Sequence, residues 1–132
     1  MQLTQSQEDY LETIYILKTQ QEHVRAIDVA AAMGFSKPSV SHALKDLKVK
    51  ELIYTDKTGY IFFTEAGQQM ATQVYERHVF FKNQLIHAGV EPYLAEEEAC
   101  KMEHTISEDS FKKLKGHKCD RSCIDCKGDK CN

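Results

Sequence analysis

No apolar run in this 132-residue sequence approaches the length of a membrane span. The opening stretch, Met-Gln-Leu-Thr-Gln-Ser-Gln-Glu, lacks the basic and apolar regions of a signal peptide. A cytoplasmic protein that does not engage a membrane is therefore expected. There is no excess of positive charge either: 17 Lys and Arg stand against 20 Asp and Glu, a formal net charge of −3. That removes a general attraction for nucleic acid but not a local one, because what counts is where the charge sits. Internal repeats are missing, and so is any motif for holding an enzyme substrate, so no enzyme is expected. What is present is ordinary for a globular protein: 42% hydrophobic and 28% charged residues, enough for one domain or two small subdomains. Five cysteines in a reducing compartment point to metal or redox chemistry rather than disulfides.

The periodicity predicts a mainly α protein. Tyr10, Leu11, Ile14, Tyr15 and Leu17 give a helical stripe from about Ser6 to Gln20. An alanine-rich helix over Ala26 to Met33 ends at Gly34, where a left-handed residue is wanted. Ser36 can cap the next helix, with Pro38 in its first turn and Val40, Ala43, Leu44 and Leu47 on its buried face. Leu52 to Thr55 and Tyr60 to Phe63, joined by Asp-Lys-Thr-Gly, read as a hairpin. Thr64 can cap a long helix from Glu65 to Ala88, closed by Gly89, with Met70, Val74, Phe81, Leu85 and Ile86 at helical spacing. A further helix is expected over Pro92 to Ile106, and Ser107 can cap a last one ending near Gly116. The domains expected are residues 1–64, 65–116 and a cysteine-rich tail, 117–132.

Helix, short helix, glycine turn, helix and hairpin is the order of a winged helix-turn-helix, whose second helix of the pair lies in the major groove. Ser36, Lys37, Pro38, Ser39, Ser41, His42 and Lys45 lie off the core stripe and are small, hydroxylated or basic. Small residues let a helix approach base edges, while serines and His42 can hydrogen-bond bases or phosphates. Lys37, Lys45, Lys48 and Lys50 against Asp46 make this patch basic within an acidic chain, and Lys57 at the hairpin tip adds a candidate phosphate contact. The same pattern also suits a solvated amphipathic helix, and winged helices serve as protein–protein modules too.

A second constellation suits a metal. Cys100, Glu103 and His104 stand at i, i+3 and i+4, on one face of a helix. Sulfur, oxygen and nitrogen donors together favour a divalent first-row transition metal over calcium or magnesium. Asp9 and Glu12 lie at i, i+3 on the first helix, roughly opposite its apolar stripe, and His78 lies on the apolar face of the long helix. Taken singly, these read as exposed acids, a core histidine and a small buried hydrophobe.

Glu8-Asp9-Tyr10-Leu11-Glu12, Ile14-Tyr15, Val24-Arg25, Asp28-Val29-Ala30, Ser36-Lys37-Pro38-Ser39-Val40-Ser41 and Phe63-Thr64-Glu65-Ala66-Gly67 recur in order along the first half. Arg77-His78 and Glu98-Ala99-Cys100-Lys101-Met102-Glu103-His104-Thr105-Ile106-Ser107 follow. In these motifs the sequence resembles the diphtheria-toxin-repressor and manganese-transport-regulator family, from about Ser6 to Leu114. The resemblance implies a homodimeric, metal-activated repressor controlling metal-ion homeostasis: a winged helix, then a helical dimerisation domain, reading a palindromic operator in double-stranded DNA. It implies Asp9, Glu12, His78, Cys100, Glu103 and His104 as metal ligands, and adds Arg25 to the DNA-binding residues. The manganese branch has Glu in place of Cys100, and the iron branch has Met in place of Asp9, so Fe(II) and Mn(II) are both expected ions, with Cys100 tilting toward iron. The iron branch's second site has Glu where this chain has Lys82, so that site is not expected intact, although His78 and Glu96 remain. The C-terminal SH3-like domain of longer members is not expected.

The tail carries Cys119, Cys123, Cys126 and Cys131 with almost no apolar residues. Four thiolates in a polar segment could fold around Zn(II) or an iron–sulfur cluster. The alternative expectation is thus a DNA-binding redox or cluster sensor acting through this tail.

Overall fold

The computed structural model of the chain describes residues 3–116. The cysteine motif of Cys119, Cys123, Cys126 and Cys131 lies outside the described residues. Two compact units are formed, Met1–Tyr75 and the residues from Glu76 onward.

The first unit is a three-helix array with a hairpin. Helix α1 (Gln5–Gln20) begins one residue earlier than the apolar stripe suggests, because Thr4 and Gln7 form a reciprocal capping box with both hydrogen bonds at 3.1 Å. Helix α2 (Ala26–Met33) is held at its start by Asp28, whose carboxylate accepts the Arg25 N–H at 2.8 Å, and ends at Gly34 with φ 71°. Helix α3 (Lys37–Val49) starts as expected: the Ser36 hydroxyl accepts the Ser39 N–H at 3.3 Å, with Pro38 in the first turn. Strands β1 (Ile53–Thr55) and β2 (Ile61–Phe63) pair antiparallel, Ile53 opposite Phe63 and Thr55 opposite Ile61. Each is one residue shorter than the sequence suggests. The N–H of Leu52 instead closes the end of α3 by donating to the Leu47 carbonyl at 3.0 Å.

Leu11, Ile14, Val24, Val29, Val40, Leu47, Leu52 and Ile61 are the fully buried centre of this unit. Each such aliphatic side chain contributes about 1.5–3 kcal/mol by leaving water. The hairpin is also tied to the α1–α2 connection: Ile61 N–H donates to Val24 O at 2.8 Å and the Lys18 ammonium to Ile61 O at 2.9 Å.

Helix α4 (Glu65–His87) contributes its first half to this unit, placing Ala71 and Met70 against the core. Thr64 caps it, accepting the Gly67 N–H at 3.0 Å while its hydroxyl donates to Glu51 O at 2.7 Å. Gly67 is there because nothing larger fits: a Cβ would lie 1.8 Å from the Leu52 carbonyl oxygen.

The second unit contains the rest of α4, then α5 (Pro92–Met102) and α6 (Glu108–Gly116). Phe81, Ala99 and Phe111 are its buried centre, with Phe80 and Ile106 against them. The Phe80 and Phe111 rings meet edge to face at 5.3 Å. Ser107 caps α6 as expected, accepting the Ser110 N–H at 3.0 Å. Helix α5 stops at Met102 rather than at Ile106, because Thr105 turns back and both its N–H and its hydroxyl donate to Met102 O. No helix among the described residues is long and apolar enough to cross a membrane.

Candidate metal centre and nucleic-acid face

In the second unit three elements supply donors. Helix α4 carries His78, α5 carries Glu96 and Cys100, and the turn after α5 carries Glu103 and His104. Although α5 ends at Met102, Glu103 keeps helical angles (φ −63°, ψ −23°), so the helical spacing from Cys100 persists past the helix end. Donor atoms of Cys100 and His104 lie within 4.8 Å of one another, as do those of His78 and Glu103.

Glu103 has the strongest chemical signature. It is wholly buried, and neither carboxylate oxygen accepts a hydrogen bond. His78 Nδ1 is 3.4 Å from its Oε1, and His104 Nε2 is 3.6 Å from the same oxygen. The side chains of His78 and His104 are 6% and 1% exposed. A carboxylate taken from water without hydrogen bonds is costly, and a cation removes that cost. One thiol, one carboxylate and two imidazoles also form a donor set that suits a divalent transition ion. The residues present fit such a metal.

Glu96 organises the outer side of His78. Its Oε2 is 2.6 Å from His78 Nε2, and its Oε1 accepts from the Lys82 ammonium at 2.9 Å. Burial pushes the Glu96 carboxyl up, but the hydrogen bonds and charges of Lys82 and His78 outweigh it and hold the carboxyl below its ordinary value. Arg77, next to His78, donates to the Glu103 carbonyl at 3.4 Å and lies over the Phe111 ring.

In the first unit, Asp9 and Glu12 lie on α1 with donor oxygens within 4.8 Å of one another. Glu12 differs from its expected position opposite the apolar stripe: it is buried, only 6% exposed, in the run Tyr10, Leu11, Glu12, Ile14. A buried carboxylate calls for compensating positive charge, and alternation of apolar and polar residues gave no sign of its burial.

The candidate nucleic-acid face also belongs to the first unit. Lys37, Pro38, Ser39, Ser41, His42 and Lys45 are all exposed along α3, with Ser36 at its cap. An open groove of about 410 Å³ is lined by Arg25, Ala26, Ile27, Lys37, Ser41 and Gly59. It joins the start of α2, the face of α3 and the hairpin. Ser36 and Ser39 are engaged with each other, their hydroxyls 3.0 Å apart, which leaves Ser41, His42 and Lys45 as the more available polar groups. His42 stands 3.6 Å from Asp46 one turn on.

Arg25 lies over the Tyr60 ring at 4.9 Å, and His23 stacks on the same ring at 4.2 Å. Sequence reasoning did not single out Tyr60; its place after the hairpin turn was the available signal. At the tip, exposed Lys57 follows Asp56, whose carboxylate accepts from Thr58 Oγ1 at 2.6 Å and from the Thr58 and Tyr60 N–H groups at 3.0 Å. The Thr58 hydroxyl is the main cause holding the Asp56 carboxyl below its ordinary value.

The chain matches, in series, the N-terminal DNA-binding domain of iron dependent repressors over residues 2–60 and their metal-binding and dimerisation domain over residues 64–117. The chain belongs to the iron dependent repressor family. Proteins of this family are transcriptional regulators. The chain is 36% identical over 104 residues to the transcriptional regulator MntR of Escherichia coli O6:H1, covering 79% of this chain and 67% of that one. It is 32% identical over 117 residues to an HTH-type transcriptional regulator of Methanocaldococcus jannaschii, covering 86% and 92%. The solved structure of the manganese regulator SloR matches at 30% identity with a TM-score of 0.71, over 86% of this chain. The chain spans about half the length of that solved relative, 53%.

Proposed function

We propose that this protein is a metal-activated transcriptional repressor that binds operator DNA in the cytoplasm and controls metal-ion homeostasis. The observation that carries this reading is Glu103, a buried carboxylate whose oxygens accept no hydrogen bond and which is flanked by His78 and His104. Such a group is poised for a cation rather than for structure alone.

The ligands we assign are His78, Cys100, Glu103 and His104 from the second unit, with Asp9 and Glu12 from α1 completing the set. A divalent ion, Fe(II) or Mn(II), would supply the positive charge that lets these carboxylates converge. Cys100 favours iron, while the carboxylates and imidazoles suit manganese as well. Drawing ligands from α1 and from the later helices would tie the DNA-reading part to the dimerising part, and a metal biases two states only by binding one better than the other. MntR and SloR, by name a transcriptional regulator and a manganese regulator, support that reading by likeness.

Residues 1–64 would read the DNA and residues 65–116 would bind metal and dimerise. Arg25, Lys37, Ser41 and His42 are the proposed major-groove and phosphate contacts, and Lys57 reaches a phosphate from the wing. Tyr93, Leu94, Ile86 and Met102 are large apolar side chains exposed on α4 and α5, which suits cover by a second copy of the chain. A two-fold dimer reads a palindromic site with half-sites about one helical turn apart, or a multiple of that.

The test is anaerobic thermal unfolding of metal-free protein with increasing Fe(II) or Mn(II). Ligands bound to the folded state alone raise the melting temperature with concentration. The expected result is a rise in the wild type that is lost in His104→Ala. An equal rise in both proteins would overturn the site.

A further inference from the structure

Glu103 stands where α5 has just ended, and the last carbonyls of a helix find no partner within it. The Glu103 carbonyl is taken by Arg77, whose Nη1 donates to it at 3.4 Å. A cation at a helix C-terminus satisfies such a carbonyl and suits the negative end of the helix dipole. Glu103 thereby keeps φ −63° and ψ −23° beyond the helix, the angles that carry the spacing from Cys100 on to His104. Neither carboxylate oxygen of Glu103 accepts a hydrogen bond, so Arg77 serves the main chain and leaves the ligating group open.

What holds Arg77 in place is α6. The guanidinium lies over the Phe111 ring at 5.8 Å, and Phe111 is buried against Phe80 and Phe81, with ring centres 5.3 and 5.9 Å away. The planar guanidinium has several donors, so one side chain can bond a carbonyl and cover a ring at once. The Lys115 ammonium lies over the same ring at 6.0 Å and pairs with Glu76, the residue before Arg77 on α4. Adjacent residues of α4 thus each grip α6, Glu76 by its charge and Arg77 by its ring contact.

We propose that Arg77 is a positioning residue of the metal centre and that docked α6 sets the centre's affinity, by pinning the guanidinium between the Phe111 ring and the Glu103 carbonyl. When α6 lifts, Arg77 loses its support, the Glu103 turn loosens and the ion is held less tightly. Coupling between two sites is reciprocal, so an ion that fixes the Glu103 turn also fastens α6. The inference rests on the metal-centre reading above, in which Arg77, Phe111 and Lys115 are not ligands.

The experiment titrates the full chain with Mn(II) and reads the free ion from its electron paramagnetic resonance sextet. Mn(II) is a poor partner for thiolates, so the titration reports carboxylate and imidazole ligands. Lys115→Met, which removes the grip on Glu76, should weaken Mn(II) binding by about tenfold, a usual size for coupling between sites. Arg77→Met should weaken it at least as much, and Arg77→Lys should recover part of the loss, because an ammonium can still donate to the carbonyl. In the unaltered chain Mn(II) should slow hydrogen exchange at the amides of Phe111 to Leu114 more than at those of α2, and it should not do so in Glu103→Ala. Unchanged affinity in Lys115→Met and Arg77→Met, or equal slowing in α6 and α2, would overturn the role of Arg77 and α6 while leaving the metal centre standing. No Mn(II) uptake by the wild type, or uptake unchanged in Glu103→Ala, would instead overturn the metal centre and this inference with it.

Discussion

His78 and Glu103 face each other across 3.4 Å, imidazole Nδ1 to carboxylate Oε1, with both side chains buried. The neighbouring Arg77 fixes the same glutamate from its backbone side, through the Glu103 carbonyl. The Arg77-His78 pair on α4 therefore meets one residue twice: Arg77 hydrogen-bonds its main chain, and His78 faces its carboxylate without a hydrogen bond.

Glu103→Gln should make the metal-free protein more stable. It removes a buried charge that accepts no hydrogen bond, and such groups cost about 1–3 kcal/mol. Urea unfolding in chelator should show a higher midpoint for the variant, while the stabilisation by added metal disappears. A lower midpoint in chelator would mean that Glu103 is satisfied without metal.

Lys37→Ala and Arg25→Ala should each weaken DNA binding and reduce the slope of log affinity against log salt by about one. Both side chains line the groove between α2, α3 and the hairpin. Arg25 also stacks on Tyr60, so Tyr60→Ala should reproduce part of the Arg25 effect with no change in charge. Fluorescence anisotropy over a range of salt concentrations measures this.

Gly67→Ala should destabilise the protein by about 3 kcal/mol or more, the upper range for overpacking. The new methyl would meet the Leu52 carbonyl at 1.8 Å, and backbone cannot step aside as a side chain can. Thermal unfolding compares the two; equal melting temperatures would place α4 further from the hairpin.

Much of this was legible from residue order. Gly34, Ser36 with Pro38, Thr64, Gly89 and Ser107 mark helix ends because each terminus needs a particular cap or a left-handed residue, and the structure uses each there or within a residue or two. The end of α5 was not legible. Cys100 to His104 read as continuous helix, but Thr105 closes the turn with its own hydroxyl, a local competition that hydrophobic spacing does not register. The burial of Glu12 was hidden for a different reason: a carboxylate on an amphipathic helix reads as solvent-facing unless its partners are known. The Lys82–Glu96–His78 chain is tertiary, joining α4 to α5, so spacing along the chain showed only that His78 and Lys82 share a face.

The hairpin turn should respond to acid. The Asp56 carboxyl is held low, chiefly by the Thr58 hydroxyl, so its folded value lies below the unfolded one. The stability it contributes is present above the unfolded value and is lost as pH falls through the folded one. Amide signals of Thr58 and Tyr60 should titrate together, with a midpoint below that of an ordinary aspartate, in a nuclear magnetic resonance titration. A midpoint at the ordinary value would mean the turn's hydrogen bonds do not persist.

The most direct measurement is anaerobic DNA binding by the full chain to candidate promoter DNA, with Fe(II), Mn(II), Zn(II) or Co(II) added singly, or with chelator. The expected result is tight binding only with the activating ion, Fe(II) or Mn(II), and loss of that binding in Glu103→Ala. Equal binding in chelator would contradict a metal-operated switch.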